Sequence, residues 1–423
     1  MDALLALTNI AIILLLGALC SVMAKKIRIS DVLVLLVLGL LLGRIAYKGQ
    51  SLFVFDNSFL VGVGVLALVM VAFDNTSRFR IKEHSAYSPQ AFKVLGLFAL
   101  FSILLLPLFI VKLFFIDAGT LNILLALVFT IVILGTDLDA VLAMLQDSAG
   151  ERAKKVLGFL HTEAVISTVL VVLIPFIIID IIKNFTLWQE GVVSSLVAQV
   201  PLLLFQLIIG VGAGVIVGII VLKTMQKVYH EHFSPIGLLS ATLLSYLLAE
   251  HLGGNGALAV ASLGFLFGRV YVKEKPKLQE FSYMLSNSLE ILVFVLLGLV
   301  IIIPLTKDFI INSLVIFALM LLCRLTAVFI ALKKDYSARE KFFVAFNMPK
   351  GIALAAIIFM LALYNDSNLN TILQLILAVT IYSLVLSTLV DKLPWKFAPE
   401  KIEKSEKARV AKPKKTNKPK KKA

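Results

Sequence analysis

Two short runs hold the residue types best suited to chemistry. Gly135-Thr136-Asp137-Leu138-Asp139 places two carboxylates and a hydroxyl midway along an apolar stretch. Ionisable groups at hydrocarbon depth are costly and default to a functional role. Further on, His161-Thr162-Glu163 is followed by Ser167 and Thr168. Glu163 and Ser167 are four apart, so they share one helix face. A carboxylate with a hydroxyl a turn away is an oxygen-rich site that suits a hard monovalent cation. A proton and a cation can compete for such a carboxylate, and that competition is the minimum machinery of an exchanger. Near the other end of the chain, Asn347-Met348-Pro349-Lys350-Gly351 sets a lysine beside two helix breakers. Its ammonium can neutralise the carbonyls of a broken helix or pair with an acid. Arg324 and Glu290 also lie within apolar stretches and are expected in structural ion pairs, and Asp74 offers an acid at the inner end of another.

These groups need elements that hold them in a bilayer. Of 423 residues, 60% are hydrophobic and only 16% charged, a balance that belongs to an integral membrane protein. Apolar stretches of about 17–25 residues recur along nearly the whole length. About thirteen spans are expected, over 3–24, 31–47, 57–73, 91–115, 121–146, 155–182, 195–222, 234–251, 255–272, 281–304, 308–332, 340–363 and 369–390. The first has no positive residues ahead of it and is long enough to span, so it reads as a helix rather than a signal peptide.

Loop charge orients the spans. With the N-terminus outside, the cytoplasmic loops hold Lys25, Lys26 and Arg28; Arg78, Arg80 and Lys82; Arg152, Lys154 and Lys155; and corresponding groups further on. External loops hold few basic residues, chiefly Lys48, Lys183 and Lys307. This follows the positive-inside rule and places the C-terminus in the cytoplasm. An odd count lets spans 1–6 and 8–13 form halves of opposite orientation, an inverted repeat. Spans 5 and 12 then correspond, and both are interrupted mid-membrane, the pattern that points to a binding site.

Other features are quieter. Cys20 and Cys323 read as core residues, with no disulfide framework or metal site indicated. Much of the net charge of +14 sits in loops and in the lysine-rich tail over 396–423. That tail is expected to be disordered and drawn to anionic lipid rather than to nucleic acid. Gly210, Gly212, Gly214 and Gly218 are helix-packing positions. No enzymatic motif and no cofactor is indicated.

Across nearly all of residues 1–395 the chain resembles the monovalent cation:proton antiporter superfamily, the sodium/hydrogen exchangers. The similar elements are Ser30 to Gly43, Val71-Ala72-Phe73-Asp74, Thr136-Asp137, Leu247 to Gly268, Phe294 to Gly298, Cys323-Arg324 and Met348-Pro349-Lys350-Gly351. The resemblance implies an all-α fold with two interrupted helices that cross, and a homodimer. Spans 4–6 and 11–13 would form a core that moves past a dimerisation part built from spans 1–3 and 8–10. It also implies Asp137 as an ion-site acid, Thr136 as its neighbour and Asp74 as an auxiliary. Two departures stand out: Leu138 replaces a proline, and Ser167-Thr168 replaces an Asn-Asp or Asp-Asp pair, which removes the usual transporting aspartate.

The sequence therefore predicts exchange of protons for Na+ or K+ in the plasma membrane, with Asp137 and Glu163 together replacing that aspartate. Asp139, Thr136 and Ser167 stand beside them, and Lys350 and Arg324 stabilise the core. An organic-anion symporter of inverted-repeat build, or a cation sensor without transport, are the alternatives.

Overall fold

In this computed structural model, residues 3–27, 29–47, 50–51, 53, 55–78, 88–115, 117, 119–136, 155–167, 171, 192–227, 229–332, 336–351, 354–355, 358, 361 and 367–392 are described. Each of the thirteen expected spans contains a described helix. These are α1 (Ala3–Ile27), α2 (Asp31–Leu42), α3 (Asn57–Ser77), α4 (Ser88–Phe114), α5 (Thr120–Val132) and α6 (155–167). They continue with α7 (Val192–Lys227), α8 (Phe233–His251), α9 (Gly256–Arg269), α10 (Lys275–Val300), α11 (Lys307–Ala331), α12 (Ala338–Phe346) and α13 (Ser367–Lys392).

Local chemistry sets several of the starts. Ser30, Asn255 and Thr306 each turn a side-chain oxygen onto a backbone N–H of the first turn of α2, α9 and α11. Ser337 and Glu340 form a reciprocal capping box on α12. One expected span is shorter than the sequence suggests. The second stops at Leu42, with Gly43 as its cap, and the chain then forms a two-residue antiparallel pair, Ala46–Tyr47 with Gln50–Ser51.

Eight of the described helices are long and apolar enough to cross a membrane: α1, α3, α4, α7, α8, α10, α11 and α13. Their outward faces are apolar as well. Leu15, Leu19 and Val22 on α1 and Ile208, Ile216 and Ile220 on α7 are exposed, which only a lipid surrounding makes favourable. The 36 residues of α7 reach about 54 Å, well beyond the hydrocarbon thickness, so this helix must tilt or protrude.

The helices pack in two groups. In one, α2 and α3 lie against α10, α3 against α9, α7 against α8 and α9, and α1 against α2 and α10. In the other, α4 packs on α5 and α11, while α13 touches α5, α11 and α12. The side chains of Val156, Leu157, Phe159 and Leu160 place α6 in this second group, among residues of α4, α11 and α12. The groups meet where α13 rests on α2 and through a shared apolar cluster.

The first group is joined by backbone contact at glycines. A Cβ on Gly298 of α10 would stand 2.4 Å from the Leu36 carbonyl oxygen, and one on Gly39 of α2 2.2 Å from that of Val295. Gly214 meets the Ala259 carbonyl and Gly268 that of Ser77 in the same way. Between apolar helices in lipid, such close approach is a main source of association. Gly298→Val should therefore lower the melting temperature in detergent, with about 1–3 kcal/mol lost to overpacking. Gly96→Ala, which adds its methyl to open space, should leave the melting temperature unchanged. Equal melting temperatures for the two variants would refute the backbone-contact account.

Candidate ion site at two interrupted helices

Helix α5 ends at Val132, and the chain unwinds through Gly135 and Thr136. Helix α12 ends at Phe346 and residues 347–351 are not helical; helical residues return at 354–355, 358 and 361. The restart is bonded to Gly351, whose carbonyl accepts from the backbone N–H of Leu354 and of Ala355. Pro349 has no N–H to give, and its ring disfavours helical geometry at Met348, so the break falls where sequence chemistry requires it.

The two breaks touch. Lys350 is fully buried, and its ammonium donates to the carbonyl oxygens of Ile133 and, at 2.8 Å, Gly135. Both carbonyls lie past Val132, the last helical residue of α5. A buried carbonyl left alone costs about 1–3 kcal/mol, and a charged donor is its strongest remedy. One lysine thus stabilises the end of a helix 217 residues away in the chain.

Thr136 is buried at the same break. Its backbone N–H donates to Ser167 Oγ at 3.2 Å, and the two hydroxyls lie 3.1 Å apart. Ser167 in turn donates to the Ala164 carbonyl of its own helix. The structure therefore brings together the Thr136 and Ser167 oxygens, one turn from Glu163 on α6. Asp137 and Asp139 lie outside the described residues.

Glu163 and Arg324 form the largest buried charge interaction among the described residues. Each is 1% exposed. The guanidinium grips the carboxylate as a fork, Nη1 on Oε1 and Nη2 on Oε2 at 2.7 Å, with the Phe98 ring 5.2 Å from its centre. Lys350 lies within electrostatic range of both partners. Both carboxylate oxygens are occupied in the state described. Sequence reasoning placed Glu163 at the ion site and Arg324 in an ion pair without joining them. The two are 161 residues apart, and nothing local tells one intramembrane acid from another as the partner.

Asp74 occupies a different place. It is buried on α3, and Arg78, one turn on, holds it with Nη2 3.1 Å from Oδ1 and Nε 3.0 Å from Oδ2. The Arg78 guanidinium also covers the Tyr283 ring at 4.7 Å. Its surroundings are therefore protein rather than the water expected of an interfacial cap. Sequence reasoning also passed over Asn347, Ser383 and Ser387. The only signal was two serines four apart within an otherwise apolar span.

The sodium/hydrogen exchanger transmembrane family matches residues 10–392 of the chain. The chain belongs to the sodium/hydrogen exchanger family. This is a family of membrane transporters, not enzymes. No curated protein is significantly similar in sequence. Among solved structures, the fold is similar to that of the sodium proton antiporter MjNhaP1 from Methanocaldococcus jannaschii at pH 8. The TM-score is 0.71 at 20% identity, over 92% of this chain and 100% of that one. An electron-microscopy structure of the same antiporter gives 0.69 at 20% identity, over 95% and 100%. The exchanger fold is thus present from α1 to α13.

The buried fork has a measurable signature. Arg324→Met alone strands the Glu163 carboxylate and should cost about 3–5 kcal/mol. Adding Glu163→Leu should recover most of that, because a paired loss leaves no orphan charge. Thermal unfolding in detergent reads both. Additive destabilisation in the double variant would contradict direct pairing.

Proposed function

We propose that the protein is a secondary active antiporter that exchanges protons for Na+ or K+ across the membrane. The observation that carries the reading is the meeting of two interrupted helices at Lys350, with the buried Thr136 and Ser167 hydroxyls beside it. Broken helices at corresponding positions of two inverted halves are where transporters of this build place their ion. The activity named for the archaeal antiporter of like fold agrees with it.

Asp137, one residue beyond Thr136, is the acid at which proton and cation compete. Thr136 and Ser167 supply neutral oxygens, and Asp139 adds charge next to the break. Glu163 takes part by trading Arg324 for the ion, since the guanidinium occupies both its oxygens until the pair parts. Asp74 assists from the inner end of α3, and Lys350 and Arg324 hold the core together. In the absence of the usual aspartate, Asp137 and Glu163 together carry its role.

The packing into two groups supports a reading of how the protein moves. Helices α4–α6 and α11–α13 travel as one body in an elevator-like motion, past a scaffold of α1–α3 and α8–α10 that dimerises. The scaffold's glycine contacts suit a rigid part, and the polar network of the other group suits one that must keep its shape while it shifts. The N-terminus lies outside the plasma membrane, and the basic tail lies inside against anionic lipid.

Proteoliposomes loaded with a pH-sensitive dye test the exchange. Addition of sodium or potassium should collapse an imposed pH gradient, and Asp137→Ala with Glu163→Ala should slow the collapse by at least about tenfold, the scale expected for loss of ion ligands. Undiminished flux from the double variant would remove both acids from the site.

A further inference from the structure

The break in α12 leaves polar atoms inside the protein. Asn347 and Met348 are buried, and both lie past Phe346, the last residue of α12. Two serines of α13 answer them. Ser387 Oγ donates to Asn347 Oδ1 at 2.7 Å, and Ser383 Oγ donates to the Met348 carbonyl oxygen. The serines are four apart, so they present one face of α13 to the break, and both are buried.

Hydroxyls in apolar helices usually bond back to a carbonyl of their own helix. Thr380 and Thr388, on the same helix, do so at 2.7 and 2.8 Å. Ser383 and Ser387 reach across instead. The other break is held alike, because Ser167 of α6 takes the Thr136 N–H. In both halves, a hydroxyl from the next helix in the chain holds the unwound segment.

We propose that Ser383 and Ser387 are positioning residues for ion exchange. They fix residues 347–351 in the register at which Lys350, two residues beyond Met348, reaches the Ile133 and Gly135 carbonyls. The inference rests on the antiport reading and extends it to residues that touch no ion. Without the hydroxyls, Asn347 Oδ1 loses the Ser387 bond and the Met348 carbonyl loses the Ser383 bond. The segment then shifts, and the carbonyls next to Thr136 lose their fixed geometry. The effect falls on ion affinity rather than on the rate at saturating ion.

Sodium-dependent proton flux in proteoliposomes, measured over a range of sodium concentrations, tests this. S383A/S387A should raise the apparent KM for sodium about tenfold while the maximal rate stays within about twofold, the pattern of lost outer support for ion ligands. S383T/S387T keeps the hydroxyls and should restore the wild-type KM. T388V, which removes only a bond within α13, should leave KM unchanged. Wild-type flux with an unaltered KM in S383A/S387A overturns the proposal, as does a threonine pair that behaves like the alanine pair. If S383A/S387A does not fold, S387A alone decides: a raised KM supports the proposal and a wild-type KM overturns it. Absence of flux from wild-type vesicles with sodium and with potassium alike is a separate outcome, which removes antiport itself and this inference with it.

Discussion

A carbonyl freed by an unwound helix has no water to turn to inside a bilayer, and this constraint organises the core of the protein. The carbonyls of Ile133 and Gly135 lie at the α5 break, and Lys350 from the α12 break donates to both. Lys350 itself lies in the α12 break, between Pro349 and Gly351, so the two interruptions meet at one side chain. The Ser167 contact with Thr136 and the α13 serines then hold the two unwound segments from outside.

The two groups of helices are joined by different forces. Around α2, α3, α9 and α10, backbones meet at glycine with no room for a side chain. Such contacts depend on shape and tolerate little movement. The group around α4, α6, α11 and α13 is held by hydrogen bonds and by the Glu163–Arg324 fork. A buried ion pair of that kind is a weak source of net stability but a strong penalty on misalignment. These polar contacts sit within an apolar cluster and fix how α6, α11, α12 and α13 face one another.

Much of the fold was legible in the sequence, because hydropathy and length are local properties. The positions of all thirteen helices follow from them, eight of them long and apolar enough to cross a membrane, as does the break at Pro349-Lys350-Gly351. The early stop of α2 was not, since Ile45, Ala46 and Tyr47 keep the stretch apolar beyond Gly43, where the helix ends. At the site, the sequence singled out Thr136, Ser167, Glu163, Arg324 and Lys350, and the structure sets Thr136, Ser167 and Lys350 at the breaks and joins Glu163 to Arg324. Their partners were hidden, because pairing depends on contacts 31 to 217 residues apart. Ser383 and Ser387 were the hardest to see. A serine in an apolar span has the same letter whether it bonds to its own helix or braces another.

The central claim is that the Lys350 ammonium, by holding the α5 carbonyls, builds the ion site. Lys350→Met keeps the length and apolar stem of the side chain and removes only the charge and the donors. Sodium-driven proton flux in proteoliposomes with this variant is the most direct measurement. The account predicts that flux is lost although the protein still reconstitutes in the membrane. Flux at the wild-type rate and sodium affinity would contradict it.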